Sequence, residues 1–340
     1  MARDRSLEEL TAVRLAGGPS AWDSETVRSD RSWVHEFDSA QVQELVAATR
    51  SALASGKGVG NLTRDDFMLP TLSERLLGVL DDVVDGHGFA LLRGMPVGEL
   101  TRQEACVLYW GIGEHLGIPI RQNEAGDLLV SVTDEGKSFS DPTVRGYQTR
   151  DRLDFHSDSS DLVGLLCLRP AWRGGASMIV SGVAIHDEIA RRRPDLAEVL
   201  HRPFWFDRRK ADQSSSFFAC PVFGWSKGGQ LAVYYGRAHI ESAQRGRGIP
   251  VLTPQQVEAL DLFDELSCDP RFAVSMDFQP GDIQVLNNHL ILHSRTAYED
   301  GPDPAERREL LRLWLTLRRP LALPPEFEEA GIVARGEAFR

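Results

Sequence analysis

Two histidines and one aspartate have the residue types and spacing that a transition-metal site needs. His156 and Asp158 lie two residues apart, and His293 lies far downstream, after the apolar run Leu290-Ile291-Leu292. Two imidazoles and one carboxylate can hold one face of an Fe(II) ion and leave its other positions open for a co-substrate and O₂. His289 is the rival downstream ligand, but it sits at a predicted turn, where a solvated histidine is the ordinary expectation.

A histidine two residues before an acid is a weak signal by itself. The spacing also occurs at His186 and Glu188, inside a predicted helix, and at His239 and Glu241, after a possible strand. Residues two apart point in different directions on a helix but share one face of an extended chain. The extended context therefore favours the triplet His156-Ser157-Asp158, while a solvated surface loop and a three-ligand zinc site remain alternatives.

Capping residues and apolar periodicity predict the elements around these side chains. Helices are predicted near residues 38–54, 70–84, 101–116, 185–200 (interrupted at Pro194) and 253–268. Short apolar runs between turn residues predict strands near residues 86–94, 162–168, 176–180 and 283–286. Strands dominate the second half of the chain, which predicts a mainly β fold with a jelly-roll core and flanking α-helices packed outside.

The last predicted strand, residues 308–317, carries two arginines on one face. Alternation places Arg308 and Arg312 on the same side, while the opposite side is almost purely leucine. We expect the leucines to pack under helices and the arginines to face whatever the sheet encloses.

Composition excludes several classes of partner. The net charge of −12 argues against nucleic acid, because phosphate backbones select basic surfaces. The sequence contains no apolar run of the length that a membrane span needs, so we expect no membrane partner. The four cysteines are scattered without a CxxC pair, which favours reduced thiols and a cytoplasmic protein.

Several short motifs occur in an order that is known from one enzyme family. They are Gly88-Phe89-Ala90-Leu91-Leu92-Arg93-Gly94, Phe155-His156-Ser157-Asp158, Gly174-Gly175-Ala176-Ser177, Pro280-Gly281-Asp282, residues 288–296 with a Leu-His-x-Arg-Thr core, and residues 307–315. Over about residues 80–318 the chain resembles the Fe(II)/2-oxoglutarate-dependent dioxygenases of the TauD/TfdA (taurine dioxygenase-like, clavaminate-synthase-like) family. The resemblance implies a double-stranded β-helix fold, with His156, Asp158 and His293 as the Fe(II) ligands.

The resemblance also implies 2-oxoglutarate as co-substrate and O₂ as oxidant. Arg308 is expected to bind the distal carboxylate of 2-oxoglutarate, with Arg312 as its rival because the two share a face. In related enzymes the second arginine contacts the acidic group of the primary substrate, and Arg312 is assigned that role, with a structural ion pair as the alternative. Ser177 keeps the hydroxyl by which the family hydrogen-bonds 2-oxoglutarate, although Ala176 departs from the commoner acidic residue.

The expected activity is hydroxylation of an unactivated C–H bond in a small carboxylate-bearing metabolite, with succinate and CO₂ as co-products. Asp158 argues against halogenation, since related halogenases lack this carboxylate. Asn123, Gln148 and Arg152 fall where the family places substrate-facing loops. Desaturation or ring closure on the same scaffold, and a non-catalytic cupin-like small-molecule binder, are the alternatives.

The domain organisation is expected to be a single catalytic domain over residues 1–340. Residues 1–35 are polar and mixed, and are predicted to form an N-terminal arm with little structure of its own. The dioxygenase core is expected over about residues 80–320, with an insert near residues 185–270. The sequence indicates no oligomeric state.

Overall fold

The computed structural model describes residues 13–138, 144–209 and 216–333, so residues 1–12 of the predicted arm lie outside it. The α-helices are α1 Ser24–Ser29, α2 Ser39–Ala54, α3 Leu72–Asp85, α4 Arg102–Leu116, α5 Gly182–Arg192, α6 Pro194–Leu200, α7 Arg237–Ala243, α8 Pro254–Cys268 and α9 Pro325–Glu329. The strands are β1 Val34–Glu36, β2 Phe89–Arg93, β3 Ile118–Pro119, β4 Leu129–Val132, β5 Leu153–His156, β6 Leu162–Arg169, β7 Arg173–Gly174, β8 Ser177–Ser181, β9 Pro203–Asp207, β10 Phe217–Pro221, β11 Phe223–Trp225, β12 Leu231–Val233, β13 Val274–Met276, β14 Ile283–Asn287, β15 Ile291–Arg295, β16 Tyr298–Glu299 and β17 Glu309–Thr316.

Local capping chemistry explains where the longer helices begin. Asp38, Thr101 and Thr253 each accept a hydrogen bond from a backbone N–H of the first turn, and each forms a capping box with the residue three positions on. Pro194 opens α6 at the position where its missing N–H costs nothing, and so divides the predicted helix over 185–200 into α5 and α6.

Two sheets form the centre of the molecule. The larger has the strand order β1-β2-β14-β6-β17-β3, and β4 also pairs with β17. The smaller has the order β13-β8-β15-β5, and its strand pairs are antiparallel. In the smaller sheet His293 pairs directly with His156 and Arg295 pairs with Ser177, so strand register brings these side chains together.

Three apolar clusters arrange the helices around the two sheets. Helices α2, α3 and α4 pack on the outer face of the larger sheet, where they meet the leucines of β17 as predicted. Helices α5, α6 and α8 pack on the outer face of the smaller sheet, against Val180 and Leu292. Between the sheets lies a third cluster that includes Phe89, Val163 and Ile179. Because helices hold more of the described residues than strands do, the fold is mixed α/β rather than mainly β.

The described part of the N-terminal segment is packed into the fold. Trp22 is 2% exposed, donates its indole N–H to the His87 carbonyl at 2.8 Å, and lies edge-on to Phe89. Trp33 is also buried against Phe89. The polar composition of this segment gave no sign of these two anchors. Among the described residues, no helix has the length and apolar character that crossing a bilayer requires.

Candidate metal centre

The structure brings His156, Asp158 and His293 together beside the paired strands β5 and β15 of the smaller sheet. One ligand atom from each residue lies within 4.8 Å of the other two. His293 Nε2 is 3.7 Å from Asp158 Oδ2, and the two imidazole centroids are 4.3 Å apart. Asp158 and His293 are buried, while His156 is half-buried. This cluster has the composition of a two-histidine, one-carboxylate facial triad with open positions.

Asp158 reaches this position from a loop and not from a strand. Strand β5 ends at His156, so His156 lies on the strand and Asp158 does not, and the two residues do not share a strand face as predicted. The backbone N–H of Asp158 donates to Asn288 Oδ1 at 3.2 Å, and the Asn288 amide donates in turn to the carbonyl and hydroxyl of Ser160. Asn288 therefore fixes the turn that aims the carboxylate.

Electrostatics favour the protonation states that a divalent metal needs. Burial raises the pKa of Asp158, but the positive charge of Arg312, with the two histidines and a 2.8 Å hydrogen bond from Trp314 Nε1, lowers it to about 2. Burial lowers the pKa of His293 to about 3, so its ring is neutral. His156 Nδ1 lies 2.8 Å from the Asp154 carbonyl and donates to it, which leaves Nε2 with a lone pair. The donor set fits Fe(II).

Arg312 lies beside the triad, as its predicted strand face requires. Its Nη1 is 3.5 Å from Asp158 Oδ2, and its guanidinium carbon is 4.9 Å from the ring centroids of both Tyr147 and Trp314. Its Nε donates to Gln122 Oε1 at 2.8 Å, and Gln122 donates back to the Arg312 carbonyl. Sequence reasoning missed Gln122, because nothing local links it to a strand 190 residues away.

Arg308 and Ser177 are linked through their neighbours, since Arg308 shares Tyr298 with Arg295, which pairs with Ser177. Arg308 is 3% exposed, and its Nη1 has no hydrogen-bond partner within the described ranges. A Cβ on Gly175, whose φ is +72°, would lie 3.1 Å from Arg308 Nε, so the predicted Gly-Gly turn leaves room for this side chain. Ser177 is buried and donates to Gln284 Oε1 at 3.1 Å, which differs from the exposed hairpin serine that was the alternative.

The loop residues that were assigned to the substrate make other contacts. Asn123 exchanges hydrogen bonds with Asp127 inside its own turn. Gln148 binds the backbone N–H of Arg145 and the carboxylate of Glu135. Arg152 is exposed and pairs with Asp154 at 3.3 Å. The structure shows no contact between these three side chains and the triad in the part of the chain that it describes.

The other histidines that the sequence offers as metal ligands have structural partners. His239 lies in α7 and not beyond a strand, and its Nδ1 is 2.8 Å from the Asp207 carbonyl. His186 is buried in α5, where its Nδ1 contacts Asp187. The expectation of a solvated His289 was wrong: the residue is 3% exposed, and its Nε2 lies 2.9 Å from the buried carboxylate of Asp161. Because that carboxylate comes from a segment 128 residues away, the turn itself does not reveal the pairing.

Comparison with known proteins agrees with this geometry. The profile of the family "Taurine catabolism dioxygenase TauD, TfdA family" matches residues 54–314. The chain belongs to this family. It is an enzyme, an Fe(II)/2-oxoglutarate-dependent dioxygenase, as the sequence predicted.

Individual relatives extend the comparison. FR-33289 synthase of Streptomyces rubellomurinus is 30% identical over 312 residues, which cover 90% of this chain and 92% of the relative. Uridine-5'-phosphate dioxygenase of an Amycolatopsis species is 30% identical over 244 residues, 67% of this chain and 85% of the relative. Asparagine oxygenase, solved with Fe(II), (2S,3S)-3-hydroxyasparagine and succinate, is 18% identical with a TM-score of 0.67, covering 83% of this chain and 93% of that one. The structural likeness supports the fold.

Proposed function

We propose that this enzyme hydroxylates an unactivated C–H bond of a small carboxylate-bearing metabolite, an amino-acid derivative or natural-product intermediate, and releases succinate and CO₂. The observation that carries the proposal is the buried cluster of His156, Asp158 and His293, with ligand atoms within 4.8 Å of one another. In this proposal the three side chains hold iron, which when bound supplies the oxidising chemistry.

The co-substrate side of the proposal rests on Arg308. A buried guanidinium with an unpartnered Nη1 is suited to a bidentate pair with the distal carboxylate of 2-oxoglutarate. Ser177 pairs with Arg295 on the neighbouring strand, and its hydroxyl would hydrogen-bond the same carboxylate. This arrangement favours Arg308 for the 2-oxoglutarate role, since Nε and Nη1 of Arg312 are engaged with Gln122 and Asp158 and, in the described part of the chain, leave Nη2 for another acidic group.

The primary substrate would meet Arg312 on the other side of the triad. Arg312 stacks between Tyr147 and Trp314 and has a side chain that is only 11% exposed, so it offers a rigid cation to an acidic group. Two relatives of this chain are named for uridine 5'-phosphate, a metabolite that carries an anionic group. Both points support a substrate with an acidic group.

The protein frame of the proposal is one catalytic domain. The two facing sheets would be the two sides of a double-stranded β-helix, which holds the triad and the arginines at one end and an apolar core at the other. The four unpaired cysteines favour a reducing compartment such as the cytoplasm.

A succinate-release screen tests the proposed function. The purified protein is incubated with Fe(II), 2-oxoglutarate, O₂ and one candidate substrate at a time, chosen from amino acids, acyl-amino acids, sulfonates and nucleoside monophosphates. The masses of the products are then measured by mass spectrometry. We expect stoichiometric succinate and a product heavier by one oxygen atom, both lost in Asp158→Ala and retained in Arg307→Gln, a change at an exposed position. A product lighter than the substrate by two hydrogen atoms would show that the reaction is desaturation or ring closure and not hydroxylation. Iron and 2-oxoglutarate binding without succinate from any compound would favour a binding protein.

A further inference from the structure

Two buried arginines share one small region of the interior. Arg295 is 6% exposed and Arg308 is 3% exposed, and the guanidinium carbon of each lies 4.9 Å from the ring centroid of Tyr298. Within the described residues neither side chain forms an ion pair with a carboxylate. Asp134 and Asp151 attract Arg295, and Asp300 attracts Arg308, but only from beyond ion-pair distance. Two like charges have thus been taken out of water into one place, without the directly paired counter-ion that buried charges ordinarily require.

The hydrogen-bonding of the two guanidinium groups is incomplete in the same region. Arg295 uses Nη2 to donate to the backbone carbonyls of Thr149 and Asp151. Its Nε and Nη1 are buried and have no partner in the described part of the chain, and the same is true of Arg308 Nη1. Buried donors in native proteins are nearly always satisfied, so several unsatisfied donors on neighbouring cations indicate a site for an anion.

The position of Arg295 relative to the metal ligands identifies the anion. Arg295 follows His293 by two residues on β15, so both side chains point to the same face, and the two residues are separated by roughly 7 Å of strand. That span is comparable with the length of a five-carbon chain. Arg295 also pairs directly with Ser177 on β8, the residue that the proposed function places on the distal carboxylate.

We propose that Arg295 is a second binding residue for the distal carboxylate of the 2-oxo acid, so that Arg295 and Arg308 hold this carboxylate together. The inference rests on the proposed function, because it assumes that a 2-oxo acid is bound at the triad. The shared carboxylate neutralises both buried cations. Its consequence is selectivity for a five-carbon dicarboxylate: a 2-oxo acid that lacks the distal carboxylate leaves both guanidinium groups without an anion.

A binding experiment on the full-length protein with Fe(II), under anaerobic conditions, separates this role from a structural one. Dissociation constants are measured for 2-oxoglutarate and for 2-oxopentanoate, which has the same chain length but ends in a methyl group. In Arg295→Gln we expect 2-oxoglutarate to bind roughly 30-fold or more weakly, because a buried partner of a charged hydrogen bond is removed. Binding of 2-oxopentanoate should change less than twofold, and Arg307→Gln should change neither constant.

Other outcomes identify which idea has failed. If Arg308→Gln weakens 2-oxoglutarate selectively while Arg295→Gln does not, the second arginine is structural and the inference is wrong. If the wild-type protein binds neither 2-oxo acid, the proposed function fails first. If Arg295→Gln does not fold, Arg295→Lys keeps the charge, and a crystal structure of the wild-type complex with 2-oxoglutarate decides: a distal carboxylate beyond hydrogen-bonding distance of Arg295 overturns the proposal.

Discussion

Replacing Trp314 by phenylalanine tests how the protein holds the carboxylate of Asp158, a proposed metal ligand. Trp314 Nε1 donates to Asp158 Oδ2 at 2.8 Å, while the aromatic ring also stacks with Arg312. Phenylalanine keeps a six-membered aromatic ring near the arginine and removes the N–H donor together with the pyrrole ring that carries it. The substitution therefore removes one hydrogen bond to a buried, ionised carboxylate while an aromatic ring stays beside Arg312.

The size of the effect follows from the charge on the acceptor. A hydrogen bond to a charged group contributes about 1.5–3 kcal/mol, against about 1 kcal/mol for a neutral pair. With about 1.4 kcal/mol for each factor of ten, Trp314→Phe should weaken Fe(II) binding roughly 10- to 100-fold. The same range is typical for the loss of a group that orients a metal ligand. Asp158→Ala, which removes the ligand itself, should weaken binding further.

The assay is anaerobic titration of the protein with Fe(II), followed by competition with a chelator of known affinity. Trp172→Phe is the matched control, since Trp172 is 60% exposed and the same chemical change there should leave the affinity within twofold. Equal affinities for Trp314→Phe and Trp172→Phe, alongside a large loss in Asp158→Ala, would show that the carboxylate needs no indole donor to reach the metal. The reasoning from the 2.8 Å contact would then be refuted.

Four further substitutions test the frame around the site by urea unfolding. Gly111→Ala should lower the free energy of unfolding by about 2–3 kcal/mol, because the added Cβ would lie 2.3 Å from the fully buried Phe67 ring. Gly78→Ala is the control on an open helix surface, and it should raise the free energy of unfolding by about 0.5–1 kcal/mol. Trp22→Ala should cost about 3–5 kcal/mol if the N-terminal segment belongs to the folded core; a cost below 1 kcal/mol would make it a loose arm. Asp207→Asn should lower the free energy of unfolding by about 2 kcal/mol at pH 7. Burial raises the pKa of Asp207, but hydrogen bonds lower it to about 2, so the ionised carboxylate stabilises the fold fully above about pH 4. The difference in stability between the variant and the wild type should therefore shrink as the pH falls towards 2.

Features that depend on neighbouring residues could be predicted from the sequence. Helices α2, α4 and α8 begin where Asp38, Thr101 and Thr253 predict, because capping is settled within four residues of the chain. The leucine face of β17 was equally legible, since alternation is a property of one strand. These signals also placed His156 on an extended segment, which is β5, whereas the proposed ligand Asp158 lies in the loop after that strand.

Features that depend on strand register could not be predicted from the sequence. The partnership of Arg312 with Gln122, and of His289 with Asp161, joins segments 190 and 128 residues apart in sequence. The unpartnered donors of Arg295 are another case: the sequence shows an arginine two positions after His293, but only the fold shows that Nε and Nη1 of its guanidinium are buried without a hydrogen-bond partner among the described residues. A residue pattern can predict which face a side chain occupies, and it cannot predict what the opposite sheet presents to it.

Strand β15 shows how much of the site one short segment can organise. Its alternate residues Ile291, His293 and Arg295 face the interior, because side chains two apart share a face. Ile291 joins the apolar cluster between the sheets, His293 joins the metal ligands, and Arg295 joins the buried guanidinium pair. In the proposed site, the spacing between the metal and the co-substrate carboxylate is therefore set by the rise of a single strand. A one-residue slip of β15 against β8 would turn all three residues away from the interior. Such a slip would abolish iron and 2-oxo-acid binding together, which ties the co-substrate length to the register of this strand pair.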